Sequence, residues 1–176
     1  MRRMSTFAPL VILASAQAVG AADAQRLPPE LQPLNVFAGT WLYRGVNLAT
    51  ADQKAGNWRW WEKCGWSANK VFMACSFIMN DPDKTEKTLA ISTYNYDEKR
   101  YWHYEAFSSG GDGAGPFIAR MTFSGDTWTL LGKFGDMTYR TIYRYNSPTQ
   151  VAIRVERSKD DVHWTTVAQG EGRKQA

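Results

Sequence analysis

From Val36 onward the chain breaks into short stretches rich in aromatic and β-branched residues, with apolar and polar positions alternating and turn signals roughly every ten residues. The pattern predicts strands over 38–47, 57–66, 70–79, 87–96, 100–108, 117–123, 126–134, 138–146, 150–158 and 162–170. Asn80-Asp81-Pro82-Asp83, Tyr96-Asp97-Glu98-Lys99, Ser124-Gly125-Asp126, Asn146-Ser147-Pro148 and Ser158-Lys159-Asp160-Asp161 supply residues that favour tight reversals, so consecutive strands join as hairpins. No long helical period interrupts them. A meander of this kind leaves two unpaired edges unless it closes, and closure removes both. The expected fold is all-β, a single antiparallel up-and-down β-barrel of about eight to ten strands. A two-sheet sandwich is the alternative.

Two segments fall outside the alternation. Arg2 and Arg3 precede an apolar run from Phe7 to Ala14 and then small residues through Ala24, which reads as a secretory signal over 1–24. Cleavage would follow Ala24 or Ala18, leaving 25–176 as one barrel domain. The apolar run is too short for the ~20 residues of a spanning helix. A periplasmic or secreted location follows as an expectation. Leu27-Pro28-Pro29-Glu30-Leu31-Gln32-Pro33-Leu34 is too rich in proline for more than a short helical turn, which would cap one end of the fold.

Composition adds limits. With 44% hydrophobic and 22% charged residues the chain has the make-up of a folded globular protein. The net charge of +4 is mild and the basic residues are scattered, so no nucleic-acid footprint is expected. Cys64 and Cys75 lie in a chain read as exported, where pairing is the default. A turn within Ser67–Lys70 sets them opposite each other on adjacent strands, and a disulfide is expected. Ser67-Ala68-Asn69-Lys70 also matches the S-x-x-K pattern of acylating serine enzymes, but its companion motifs are missing and a turn is the simpler reading. Ser108–Pro116, with four glycines, reads as a loop at a pocket mouth, because no helix follows it as a phosphate cradle requires.

Candidate chemistry comes from alternation. Over 100–108 one face carries Tyr101, His103, Glu105 and Phe107, the other Trp102, Tyr104 and Ala106. If the first face points inward, His103 and Glu105 form a proton-transfer pair; if outward, they are surface residues. Arg140, Arg154 and Glu156 sit on polar faces of late strands, where an inward arginine would hold an acidic group and an outward one would make surface ion pairs. Trp60 and Trp61 take opposite faces, so one of them, with Trp58 and Trp66 nearby, lines the interior. The expected ligand-binding set is Trp60, Tyr101, His103, Arg140, Arg154 and Glu156. His103 and His163 lack metal-ligand spacing. A lone histidine could in principle ligate haem, but no metal or cofactor is expected.

Leu34-x-x-Phe37-x-Gly39-Thr40-Trp41, Tyr96-Asp97, Asp126-Thr127-Trp128 and Glu156-x-Ser158 through Trp164 together resemble DUF1579-type bacterial proteins of the lipocalin-like, or calycin-like, barrel class. Asp160-Asp161 stands where such proteins often have Asp-Gly. The resemblance implies a lipocalin-like barrel and no particular reaction. Gly39-Thr40-Trp41 also resembles the first lipocalin signature, whose tryptophan packs under an arginine of the last strand, here Arg173. Three functions remain: a barrel binding an apolar or aromatic small molecule, an isomerase or lyase using His103 and Glu105, and an envelope protein-interaction module with apolar residues outside.

Overall fold

Alternating segments with turns between them can satisfy their backbone groups only by pairing, and ten strands do so in a closed ring. The computed structural model describes residues 26–81, 84–107 and 116–176. The strands are β1 (Gly39–Asn47), β2 (Gly56–Trp66), β3 (Phe72–Asp81), β4 (Lys84–Asn95), β5 (Arg100–Phe107), β6 (Phe117–Ser124), β7 (Thr127–Phe134), β8 (Met137–Ser147), β9 (Gln150–Ser158) and β10 (Thr165–Lys174). Each pairs antiparallel with the next, and β1 closes on β10, with Trp41 opposite Lys174 and Asn47 opposite Ala168. The sandwich is thereby excluded. The segment read as a signal, and the loop over 108–115, lie outside the described residues.

The largest shift is at β10, expected over 162–170 and found over Thr165–Lys174, and its late start has a local cause. Asp160 explains it: its Oδ1 accepts hydrogen bonds from the backbone N–H of Val162 (3.0 Å) and His163 (2.8 Å), folding 160–163 into a loop. Likewise β3 begins at Phe72, because the Ser67 hydroxyl accepts the N–H of Val71 and Phe72 and holds the turn. Lys70 there adopts φ 53°. That turn sets Cys64 opposite Cys75, and the two form a disulfide. Replacing both by alanine is expected to lower unfolding free energy by about 2–3 kcal/mol, measured by urea denaturation, since the bridge closes a short loop in the unfolded chain.

One end of the barrel is plugged. A 3-10 helix, Gln32–Phe37, starts at the proline-rich segment and buries Leu34 and Phe37. Trp41 donates its indole N–H to the Phe37 carbonyl (3.1 Å), and the Tyr101 hydroxyl donates to the Glu30 carbonyl (2.6 Å). Phe37 meets Trp128, Tyr143 and Tyr145. The cation over Trp41 is Lys174, with Nζ 5.5 Å from the ring, and not Arg173. The register decides this: Lys174 lies opposite Trp41, while Arg173 lies opposite Leu42 on the outer face beside Glu171.

From the plug a column of rings climbs the inner wall, Trp41 to Tyr43 (6.0 Å), Tyr43 to Trp60 (5.0 Å) and Trp60 to Trp58 (4.4 Å, nearly parallel). Trp58 can lie flat there because Gly45 lies opposite it on β1 and Gly170 opposite Gly45 on β10; a Cβ on either would fall on its indole and on a backbone carbonyl. At the far end the loop between β1 and β2 bends over the rim, where the Arg157 guanidinium grips the Asp52 carboxylate and the Thr50 hydroxyl.

Candidate functional site

Pairing register fixes the inner face of every strand. Trp58, Trp60, Glu62 and Cys64 of β2 share a face with Tyr43 and Trp41 of β1 and with Phe77 and Cys75 of β3. Continuing round, Ala90, Ser92 and Tyr94 lie opposite Glu105, His103 and Tyr101, which in turn lie opposite Phe117, Ala119 and Met121. The interior of β7 to β9 is completed by Trp128, Leu130, Thr141, Tyr143, Val151, Ile153 and Val155. Trp60, Tyr101, His103 and Glu105 therefore all point into the barrel, and Trp61 points out, under the guanidinium of Arg59.

His103 is buried and bonded at both ring nitrogens. Nδ1 lies 2.8 Å from the Ser92 hydroxyl and Nε2 lies 2.7 Å from Glu105 Oε1. An ionised Glu105 only accepts, so Nε2 carries a proton, and in the neutral ring Nδ1 accepts from Ser92. The result is an oriented imidazole with one carboxylate on it, the arrangement a general acid or base uses. The side chain of Glu105 keeps 21% exposure against 7% for His103, so the pair opens toward the rim.

A second carboxyl, which alternation around Trp60 could have flagged, lies deeper. Glu62 is 4% exposed. Burial, with the negative charge of Glu105 adding to it, pushes its carboxyl up to about 8, against the Tyr43 hydroxyl, which favours the ionised form. Cys64 Sγ sits 2.9 Å from Glu62 Oε1, but a disulfide sulfur carries no proton and the contact is not a hydrogen bond. The same bond removes Cys64 and Cys75 as thiolate ligands, so the grouping Glu62, Cys64 and Cys75 does not fit a metal ion. Tyr43 and Tyr143 are held well above the usual phenol range, chiefly by burial, and stay protonated donors.

Arg140, Arg154 and Glu156 stand elsewhere. Their register puts them on the outer wall, where Glu156 pairs with Arg140 (2.6 Å) and Arg154 (3.0 Å), and Trp164 stacks on Arg140 at 4.1 Å. The expectation of an acid-holding arginine among them is corrected: they form a surface cluster beneath the indole. The inward arginine of β9 is Arg157, on the face of Val151, Ile153 and Val155 and engaged by Asp52. His163 is exposed and tied to Asp160. Outside, Trp102 and Tyr104 stack at 6.3 Å beside exposed Leu89, Ile118 and Leu131.

These features define a lipocalin-like barrel, plugged at one end, with a carboxylate–imidazole–hydroxyl chain in an aromatic interior. No protein-family profile and no curated protein sequence matches the chain. Among solved structures it is similar to Rv2717c from M. tuberculosis, at 13% identity and TM-score 0.62, covering 86% of this chain and all of that one. It is also similar to the S-type phycobiliprotein lyase CPES from Guillardia theta, at 11% identity and TM-score 0.55, covering 84% of this chain and 96% of that one. At such identities the likeness is one of fold. No helix among the described residues is long and apolar enough to cross a membrane.

Proposed function

We propose that this protein is an exported, DUF1579-type barrel that binds an apolar or aromatic small molecule inside, in the half away from the plug. The observation that carries this is the stacked pair Trp58–Trp60, whose indole N–H groups are both buried and have no hydrogen-bond partner among the described residues. A buried donor left unsatisfied costs roughly 1–3 kcal/mol, and two such donors among apolar rings suit an apolar ligand that carries a hydrogen-bond acceptor. An aromatic interior with few polar groups is the ordinary composition of a small-molecule site.

Native mass spectrometry of the mature protein from its own periplasm or medium tests the reading. A small molecule lost on denaturation and organic extraction is expected. A consistently bare protein would overturn tight carriage. The protein mass in the same spectrum reports whether residues 1–24 are removed.

One observation favours a second reading: the inward His103–Glu105 pair could serve an isomerase or lyase, with His103 moving the proton and Glu105 orienting it. Turnover abolished by His103→Ala while the barrel still binds would favour it over carriage. The likeness to a phycobiliprotein lyase adds no activity, because it extends to the fold alone.

A further inference from the structure

At the centre of the barrel lies a small enclosed cavity of about 10 Å³, about the space one water needs. It is lined by Phe37, Phe77 and Tyr143, by Glu62, and by Ser92 and His103 among others. We propose that this cavity is the recognition site for a primary ammonium group, its aromatic faces surrounding the cation and Glu62 serving as counter-ion. The inference rests on the reading of the barrel as a small-molecule binder and names the charged end of its ligand.

Three observations converge. The first is size: an –NH3+ group occupies about the space of a water, whereas a trimethylammonium group carries three added methyls the cavity cannot take. The second is the wall. Aromatic faces attract cations, and the attraction grows when the ion is desolvated. The third is charge. Among the described residues Glu62 has no ion-pair partner, while the inward cation Arg157 is held by Asp52 at the rim and Lys174 stands over Trp41 at the plug. A buried carboxyl with no cation near it either keeps its proton or waits for a cation to arrive.

A carboxylate ligand would find no counter-charge here, and its arrival would oppose any ionisation of Glu62. Groups facing Glu62 are Tyr43 from β1, the Cys64–Cys75 bridge, Ser92 from β4, His103 and Glu105 from β5, and Tyr143 and Tyr145 from β8. None of these is a fixed positive charge. Admission of an ammonium group therefore ionises Glu62, and a proton leaves as the amine enters.

Isothermal titration of the mature protein at pH 7 with four ligands of one shape tests this: phenethylamine, phenethyl alcohol, 3-phenylpropionate and the trimethylammonium analogue of the amine. Phenethylamine is expected to bind at least about tenfold more tightly than each of the others, the difference one charge-assisted hydrogen bond supplies. Proton release should appear as a dependence of the heat on buffer ionisation enthalpy. Glu62→Gln, which keeps the side-chain shape, should abolish both the preference and the proton release. Equal or tighter binding of the alcohol or acid, or a preference for the amine that survives in Glu62→Gln, would overturn the inference and leave the binding barrel standing. If none of the four binds, the cavity is a water site and the inference fails, while the mass spectrum decides separately whether the barrel carries anything.

Discussion

Glu62→Gln is expected to make the protein more stable at pH 9 than the native chain and to flatten the dependence of stability on pH. The native carboxyl is buried, and that burial, reinforced by Glu105, pushes it from 4.5 up to about 8. The folded state therefore holds a proton that the unfolded chain releases near 4.5. Such a group leaves stability intact below the unfolded value and removes it progressively as pH rises toward about 8, after which the loss is constant. Taking each unit as 1.36 kcal/mol, the loss is at most on the order of 5 kcal/mol, an upper figure because water entry and relaxation soften it. Glutamine has nothing to ionise. Urea denaturation of both proteins at pH 5 and pH 9 checks the point, and native stability that is level across that range would show Glu62 to be solvated. The exposed carboxylates Asp52 and Asp160, held low by Arg157 and by His163 with neighbouring backbone N–H groups, act in a separate window at acid pH.

Trp128→Ala is expected to cost about 3–5 kcal/mol, the range for deleting a large buried ring. Trp128 is 0% exposed and sits where the plug meets the barrel, touching Phe37 (5.5 Å), Tyr101 (5.0 Å) and Phe123 (4.9 Å). Removing it leaves Phe37 and the 3-10 helix without their floor, and Tyr101, which holds Glu30, loses its edge contact. The indole N–H of Trp128 has no partner among the described residues, so Trp128→Phe, which keeps a ring and deletes that donor, should lose far less than alanine. Chemical denaturation of the three proteins separates packing from polarity. If phenylalanine costs as much as alanine, the N–H is bonded in solution and the packing account fails.

How much of this was legible beforehand differs from residue to residue. The turn at Ser67–Lys70 and the facing of Cys64 and Cys75 follow from local chemistry, since a short turn fixes the register of its two strands. The split of Trp60 from Trp61 follows from the two-residue repeat. Arg140 and Arg154 show where such reasoning stops. Their strands carry aromatic or aliphatic residues on one face and polar ones on the other, and β9 also carries Arg157 on its aliphatic face. Val151, Ile153 and Val155 were the signal that this face, with Arg157, turns inward. Glu62 was reachable in the same way, sharing its face with Trp58, Trp60 and Cys64.

The sequence by itself determined the number and spacing of the strands, their turns, the disulfide and the partition of every strand into two faces, because these depend on contacts between near neighbours. Which face looks inward was decided by the tertiary structure. Closure of β1 on β10 and the plug of Leu34 and Phe37 select one side of the sheet at once for all ten strands, and only then do His103, Glu105 and Glu62 become inward groups with shared surroundings. Enclosure and mutual distance are properties of the closed barrel, and the chemistry proposed for those residues depends on both.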